Sequence, residues 1–244
     1  MAAAGAASAP RRVRPAQTPT VVVASAAPAP VVALPPFWAK AKRHLRDADP
    51  TLAVIIAQHP RVKLVSRGDG FTTLARSIVG QQISVKAADS VLNRLRERCP
   101  DISPQGLLRR RVTTLRACGL SERKAEYLRD LARHFADGHI DLAHLAGQSD
   151  ADIIARLTDI RGIGRWTAEM FLIFNLLRPD VFPVDDVGLL KAISRHYLDG
   201  EPTAGLLRGA GREKVLQMGE VWAPYRSVAT WYLWRSLDPV PVEY

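Results

Sequence analysis

The stretch "LTDIRGIGRWTAEMFLIF", Leu157 to Phe174, decides the reading of this chain. A polar helix end gives way to Gly162-Ile163-Gly164, and a strongly apolar helix follows. Two glycines around one apolar residue make a tight link between helices, because either glycine can take positive φ without steric cost. Ile163 is the residue to tuck back and pin the turn. The next helix opens with Arg165, Trp166 and Thr167, and its free N–H groups form an anion site at its N-terminus. Taken alone, a Gly-x-Gly turn fits an ordinary helix connection as readily as a phosphate contact.

Outward from this turn the pattern stays helical. "FWAKAKRHLRDAD" and "TLAVIIAQHP" read as helices, the second stopped by Pro60. Phe71, Leu74, Ile78 and Val79 have helical spacing. Ser84 is placed to cap the helix that ends at Pro100, and Ser121 to cap one that closes at Gly138. "DVGLLKAISRHYL" and "YRSVATWYLWRSL" read as the last two long helices. No run of alternating strands is present, which predicts an all-α protein of two helical lobes.

Composition narrows the class of partner. Lys and Arg outnumber Asp and Glu 34 to 24, a net charge of +10, which favours a polyanion and nucleic acid before an anionic membrane. Met1 to Pro36 is Ala/Pro-rich and reads as a disordered tail, with 37–244 as the folded domain. Its Arg-bearing, acid-free start also resembles an organellar transit peptide, although its prolines oppose the amphipathic helix such peptides form. The tail holds three of the 34 basic residues and no acidic one, so the remaining 31 against 24 leaves the body at +7. Two cysteines, Cys99 and Cys118, are too few for a four-cysteine cluster and read as buried thiols in a reducing compartment. No apolar run approaches the roughly 20 residues of a spanning helix, so no membrane partner is expected.

Leu-x-x-Ile-Arg-Gly-Ile-Gly-Arg-Trp-Thr-Ala resembles the helix-hairpin-helix motif of the base-excision DNA glycosylase superfamily. "RPDVFPVDD", "IVGQQISVKAA" and "WAPYRSVATWYLW" extend the likeness from about Phe37 to Leu237, closest to the alkylbase branch, 3-methyladenine DNA glycosylase II. That resemblance implies an active-site cleft between the two lobes, and a monofunctional enzyme that flips an alkylated base of the 3-methyladenine or 7-methylguanine type out of duplex DNA and hydrolyses it off. Relatives that also cut the strand carry a lysine two residues after the second glycine, where this chain has Trp166. Indole forms no imine, and Arg165 stays protonated. Trp166 reads either as a core aromatic or as a stacking wall for a flipped, positively charged base.

Further site residues follow from the same likeness. Asp185 and Asp186 stand at a helix start. The family places the catalytic carboxylate on the second, Asp186, which leaves Asp185 as the expected N-cap. Gly162, Ile163, Gly164, Arg165 and Thr167 would meet DNA. Gln82 would stand at the inserted wedge, where the best-known bacterial member has leucine, with Gln81 beside it. Met170 and Trp234 would line the base pocket with Trp166, Met170 standing where that member has tyrosine. The carbonyls of Thr158, Ile160 and Gly162 map to a monovalent-cation site, and no other cofactor is implied. The expected partner is damaged double-stranded DNA, met by a monomer resembling the compact, all-helical members. A bacterial cytoplasm is expected, or a nucleus or mitochondrion in a eukaryote. The rival is a helix-hairpin-helix protein that binds DNA without chemistry, which would need neither Asp186 nor paired aromatics.

Overall fold

A computed structural model of the chain describes residues 34–66 and 68–237, all helix, turn and loop. Most of the expected tail lies outside these residues. Pro35 is already buried, and its carbonyl accepts the Trp38 N–H that opens the first helix.

Fourteen helices succeed one another among the described residues: α1 (Trp38–Ala48), α2 (Pro50–Gln58), α3 (Gly70–Gly80), α4 (Val85–Arg98), α5 (Pro104–Leu108), α6 (Val112–Arg116), α7 (Glu122–Ala136), α8 (Leu142–Leu145), α9 (Asp150–Thr158), α10 (Arg165–Phe174), α11 (Val187–Tyr197), α12 (Thr203–Leu206), α13 (Gly209–Trp222) and α14 (Arg226–Leu237). Their starts follow local chemistry. Asp49 accepts Leu52 N–H ahead of Pro50, and Ser84 and Ser121 cap α4 and α7 as expected. Gly138 takes φ +75° just after α7.

One expectation fails. "DVGLLKAISRHYL" and "YRSVATWYLWRSL" are not consecutive long helices, because the 14-residue α13 lies between them. Gly209, Gly211 and Gly219 lower its intrinsic helix preference. Gly219 is nevertheless required, since a Cβ there would lie 2.5 Å from the Phe182 ring. Packing overrides propensity at this point.

Helices α3 to α7, α9 and α10 pack largely on one another, and α1 and α2 pack with α11 to α14. One continuous buried core runs through both sets. α10 is buried from Thr167 to Phe174, as its apolar sequence requires. Burial of Met170, Phe171, Leu172, Ile173 and Phe174 stabilises the fold by roughly 1.5–3 kcal/mol per side chain. The hairpin at its N-terminus therefore stands on a rigid post.

Candidate active site

The hairpin between α9 and α10 is held from three sides. Asp130 of α7 is buried and accepts the Arg161 N–H at 3.0 Å. Gln81, at the end of α3, donates its side-chain amide to the Gly162 carbonyl at 2.7 Å. Gly162 takes φ +87°, and a Cβ on it would lie 2.2 Å from the Tyr127 ring. Ile163 is 4% exposed and fills the core beneath. Gly162 thus needs to be glycine for both conformation and space.

Of the two glycines that can take positive φ, Gly164 does not. Its φ of −93° and ψ of 172° suit any residue, and a Cβ there would meet nothing within 4 Å. It is exposed and serves as the N-cap of α10 without a capping side chain. A side chain at Gly164 would therefore have open room beside the first turn of α10. Arg165 turns back to Glu169 at 2.9 Å, and the Thr167 side chain is buried.

The segment "RPDVFPVDD" is pinned before it delivers its aspartates. Arg226 grips Asp180 with two bonds, at 2.8 and 2.7 Å. Ser227 accepts the Val181 N–H, and Asp186 N–H closes a turn onto the Pro183 carbonyl. The cap expected of Asp185 falls to its neighbour. Asp186, not Asp185, caps α11, with Oδ1 accepting the Leu189 N–H at 2.6 Å. Asp185 is exposed and pairs with Arg212. The cap occupies one direction of one oxygen, so capping and chemistry are compatible in a single carboxylate.

Two indoles complete the surroundings of Asp186. Trp234 donates to Oδ1 at 2.8 Å and Trp166 to Oδ2 at 2.7 Å. Three N–H donors and a helix N-terminus therefore complement one negative charge. Both indoles are half-buried, and two of the three residues expected around one pocket, Trp166 and Trp234, are thus brought to one carboxylate. Trp234 is braced by stacking on Phe174, with ring centroids 5.9 Å apart. Met170 is 7% exposed, one turn beyond Trp166.

Two contributors to the site escaped the sequence reading. Gly188 sits where a Cβ would lie 3.1 Å from both Asp186 Oδ1 and Trp234 Nε1, so its bareness lets the indole reach the carboxylate. A glycine in the first turn of a helix, beside the candidate carboxylate, was the available signal. Glu169 is a second buried carboxyl, 3% exposed. Burial pushes its pKa up, Arg165 opposes that shift, and the charges of Asp185 and Asp186 reinforce it.

On the opposite flank, Gln82 is exposed with φ +59°, and Ile83 beside it is 41% exposed. Gln81 is half-buried against the hairpin. Of the three carbonyls expected around a cation, that of Ile160 accepts the Ile163 N–H and that of Gly162 accepts Gln81. A carbonyl oxygen has two lone pairs, so each retains one.

A helix-hairpin-helix turn beside a buried aspartate that opens the following long helix defines a class of DNA-repair architecture. Residues 75–215 match the family described as HhH-GPD superfamily base excision DNA repair protein, and the chain belongs to that family. It is similar to DNA-3-methyladenine glycosylase 1 of Schizosaccharomyces pombe, 33% identical over 205 residues that cover 81% of this chain and 86% of that protein. A solved structure of the S. pombe 3-methyladenine DNA glycosylase with abasic DNA superposes with a TM-score of 0.67 at 31% identity, covering 84% of this chain and 98% of that one. The DNA-3-methyladenine glycosidase of Bacillus halodurans gives a TM-score of 0.66 at 36% identity, with coverages of 78% and 90%. No helix among the described residues is long and apolar enough to cross a membrane.

Proposed function

We propose that this chain is a monofunctional DNA glycosylase that removes alkylated bases from duplex DNA as a monomer and leaves an abasic site. The observation that carries the reading is the Asp186 carboxylate, held by Trp166, Trp234 and the α11 N-terminus beside the hairpin. Breaking the bond from C1′ to the base nitrogen puts positive charge on the sugar, and the base leaves with the electron pair. A purine alkylated on a ring nitrogen leaves as a neutral molecule, so no strong general acid is needed. Asp186 Oδ1 already takes two donors and Oδ2 one among the described residues, which makes Oδ2 the atom to face the sugar. There it opposes the oxocarbenium charge and orients the water that adds to C1′. Trp166 supplies no amine, so the strand stays uncut.

In the same reading, the open space at Gly164 admits a DNA phosphate to the positive N-terminal end of α10. Gly162, Ile163, Arg165 and Thr167 shape that contact. A monovalent cation on the Thr158, Ile160 and Gly162 carbonyls would add positive charge at the same phosphate. Gln82 faces the minor groove. Trp166, Met170 and Trp234 bound the base pocket, where a cationic base gains about 0.5–2 kcal/mol from an aromatic face. The cellular setting is wherever genomic DNA lies, cytoplasm or nucleus.

The test is to incubate the protein with methylated duplex DNA and identify released bases by chromatography. Release of 3-methyladenine or 7-methylguanine is expected, with strand breaks only after heat or alkali and no borohydride-trapped adduct. Tight binding without release would favour the binding-only alternative, and robust trapping would contradict the monofunctional assignment.

A further inference from the structure

One face of α7 touches both DNA-facing loops. Lys124, Tyr127 and Asp130 follow at helical spacing. Asp130 holds the hairpin at Arg161 N–H, and Tyr127 packs over Gly162. Lys124 reaches the other loop: its Nζ donates to the Val79 carbonyl at 2.8 Å and to the Gln81 carbonyl at 2.6 Å. Those carbonyls lie at the C-terminus of α3, where a cation is favoured. Gln81 then passes the connection on, through its side chain, to the Gly162 carbonyl at 2.7 Å.

The result is a closed strut, Lys124 to Gln81 to Gly162, with Gln82 and Ile83 projecting from it. Gln82 takes φ +59°, a conformation with a steric cost for a non-glycine residue that its surroundings must impose. Lys124 is the only side chain from outside the loop seen bonding to the Gln81 backbone among the described residues. Burial lowers its pKa, and among the described residues the two carbonyls are the acceptors seen bonding its ammonium.

We propose that Lys124 is a positioning residue for base flipping: through Gln81 it fixes the distance between the Gln82–Ile83 loop, which enters the duplex, and the hairpin, which holds the phosphate. The inference rests on the glycosylase reading above and adds to it a residue that touches neither the base nor the sugar. A loop held at the right span can fill the gap as the base leaves. A loose loop fails to hold the stack open, and the base returns before the slower chemistry. The strut should therefore matter when the lesion is paired, and lose its importance when extrusion is already easy.

The experiment compares single-turnover release of 7-methylguanine from two duplexes, one with cytosine opposite the lesion and one with an abasic site opposite. Extrusion from an intact pair costs a few kcal/mol, so Lys124→Met should slow release from the paired duplex about tenfold or more. It should leave the unpaired duplex within about twofold, since flipping there is nearly free. Lys124→Arg should restore part of the loss, and Gln81→Leu should show the same split. The Lys124→Met/Gln81→Leu double variant should be little worse than either single one, as for two members of one connection. Thermal melting checks each fold, and if Lys124→Met melts early then Gln81→Leu carries the comparison. Unchanged release from the paired duplex, or equal loss from both duplexes, would overturn the proposal. Failure of the unsubstituted protein on both duplexes would strike the glycosylase reading instead.

Discussion

Asp49 and Asp186 are near-twins in geometry. Each is an N-cap, each is buried, at 7% and 8% exposure, and each accepts an indole N–H. Asp49 accepts Leu52 N–H, Tyr197 O–H and Trp222 Nε1, the last at 2.7 Å. Asp186 accepts Leu189 N–H and two indoles. What separates them is the company. Trp222 is fully buried, and burial together with Asp49 raises the Tyr197 pKa far above its ordinary value. Around Asp186 both tryptophans are half-buried, the bareness of Gly188 lets the Trp234 indole close on the carboxylate, and Trp166 comes from the first turn of the helix that the hairpin opens. Burial and hydrogen bonding therefore do not by themselves separate the carboxylate proposed for chemistry from a structural one. The difference lies in the partners, a fully buried Trp222 at Asp49 against two half-buried indoles, one beside the hairpin, at Asp186.

The largest expected effect divides the two aspartates by what they lose. Asp186→Asn should reduce base release on the order of 10²-fold or more, since the amide keeps the shape and removes the charge. Asp49→Asn should cost about 1–3 kcal/mol of stability and leave release per folded molecule unchanged. Single-turnover kinetics and denaturant melts on both variants read this directly, and an exchange of the two outcomes would reverse the assignment.

The hairpin glycines allow a second contrast. Gly162→Ala should destabilise by about 1–3 kcal/mol or more, because positive φ and the Tyr127 ring both oppose a Cβ. Gly164→Val should fold with little loss and bind all duplexes several-fold more weakly, whatever their sequence. Binding titrations beside thermal melts separate these, and a sequence-dependent loss at Gly164 would remove the phosphate role.

A smaller effect is expected of Gly188→Ala. Its Cβ would need only a few tenths of an ångström from Trp234, so release should fall by less than about tenfold. Unchanged release would show that the Trp234–Asp186 bond does not set the carboxylate. The smallest effect concerns Glu169. Its raised pKa means that its contribution to stability is present at low pH and is lost as pH rises through the folded-state value. Glu169→Gln should therefore gain stability relative to the parent as pH rises through the weakly acid range, measured by melts across that range. A constant difference would show that Arg165 fully offsets the burial.

Much of this was legible in the sequence, for definite reasons. Gly-Ile-Gly followed by an apolar run marked the hairpin and its buried helix. Ser84 and Ser121 mark helix starts by their side-chain chemistry. α13 gives little local signal because three glycines lower its helix preference, and Gly219 is set by Phe182, a tertiary contact with no local trace. The short helices α5, α6, α8 and α12 span only four or five residues, too few for a periodic signal. The sequence leaves the cap to Asp185 only because the resemblance assigns chemistry to Asp186, and nothing local shows that one carboxylate can both cap α11 and face a site. The Lys124 strut links residues more than 40 positions apart, and nothing in either segment announces the other.

In this molecule Asp186 both caps α11 and carries the charge assigned to chemistry, and one substitution separates the two. Asp186→Ser retains a capping oxygen and removes the carboxylate. The decisive measurement is single-turnover release of alkylated bases from methylated duplex DNA by this variant, with melting and duplex affinity recorded on the same sample. Asp186→Ser should still fold, at a cost of about 1–3 kcal/mol for the indole N–H groups of Trp166 and Trp234 that lose the carboxylate, with DNA binding within a few-fold and release lost on the order of 10²-fold or more. A folded, DNA-binding Asp186→Ser protein that releases bases at the parent rate would contradict the role assigned to Asp186.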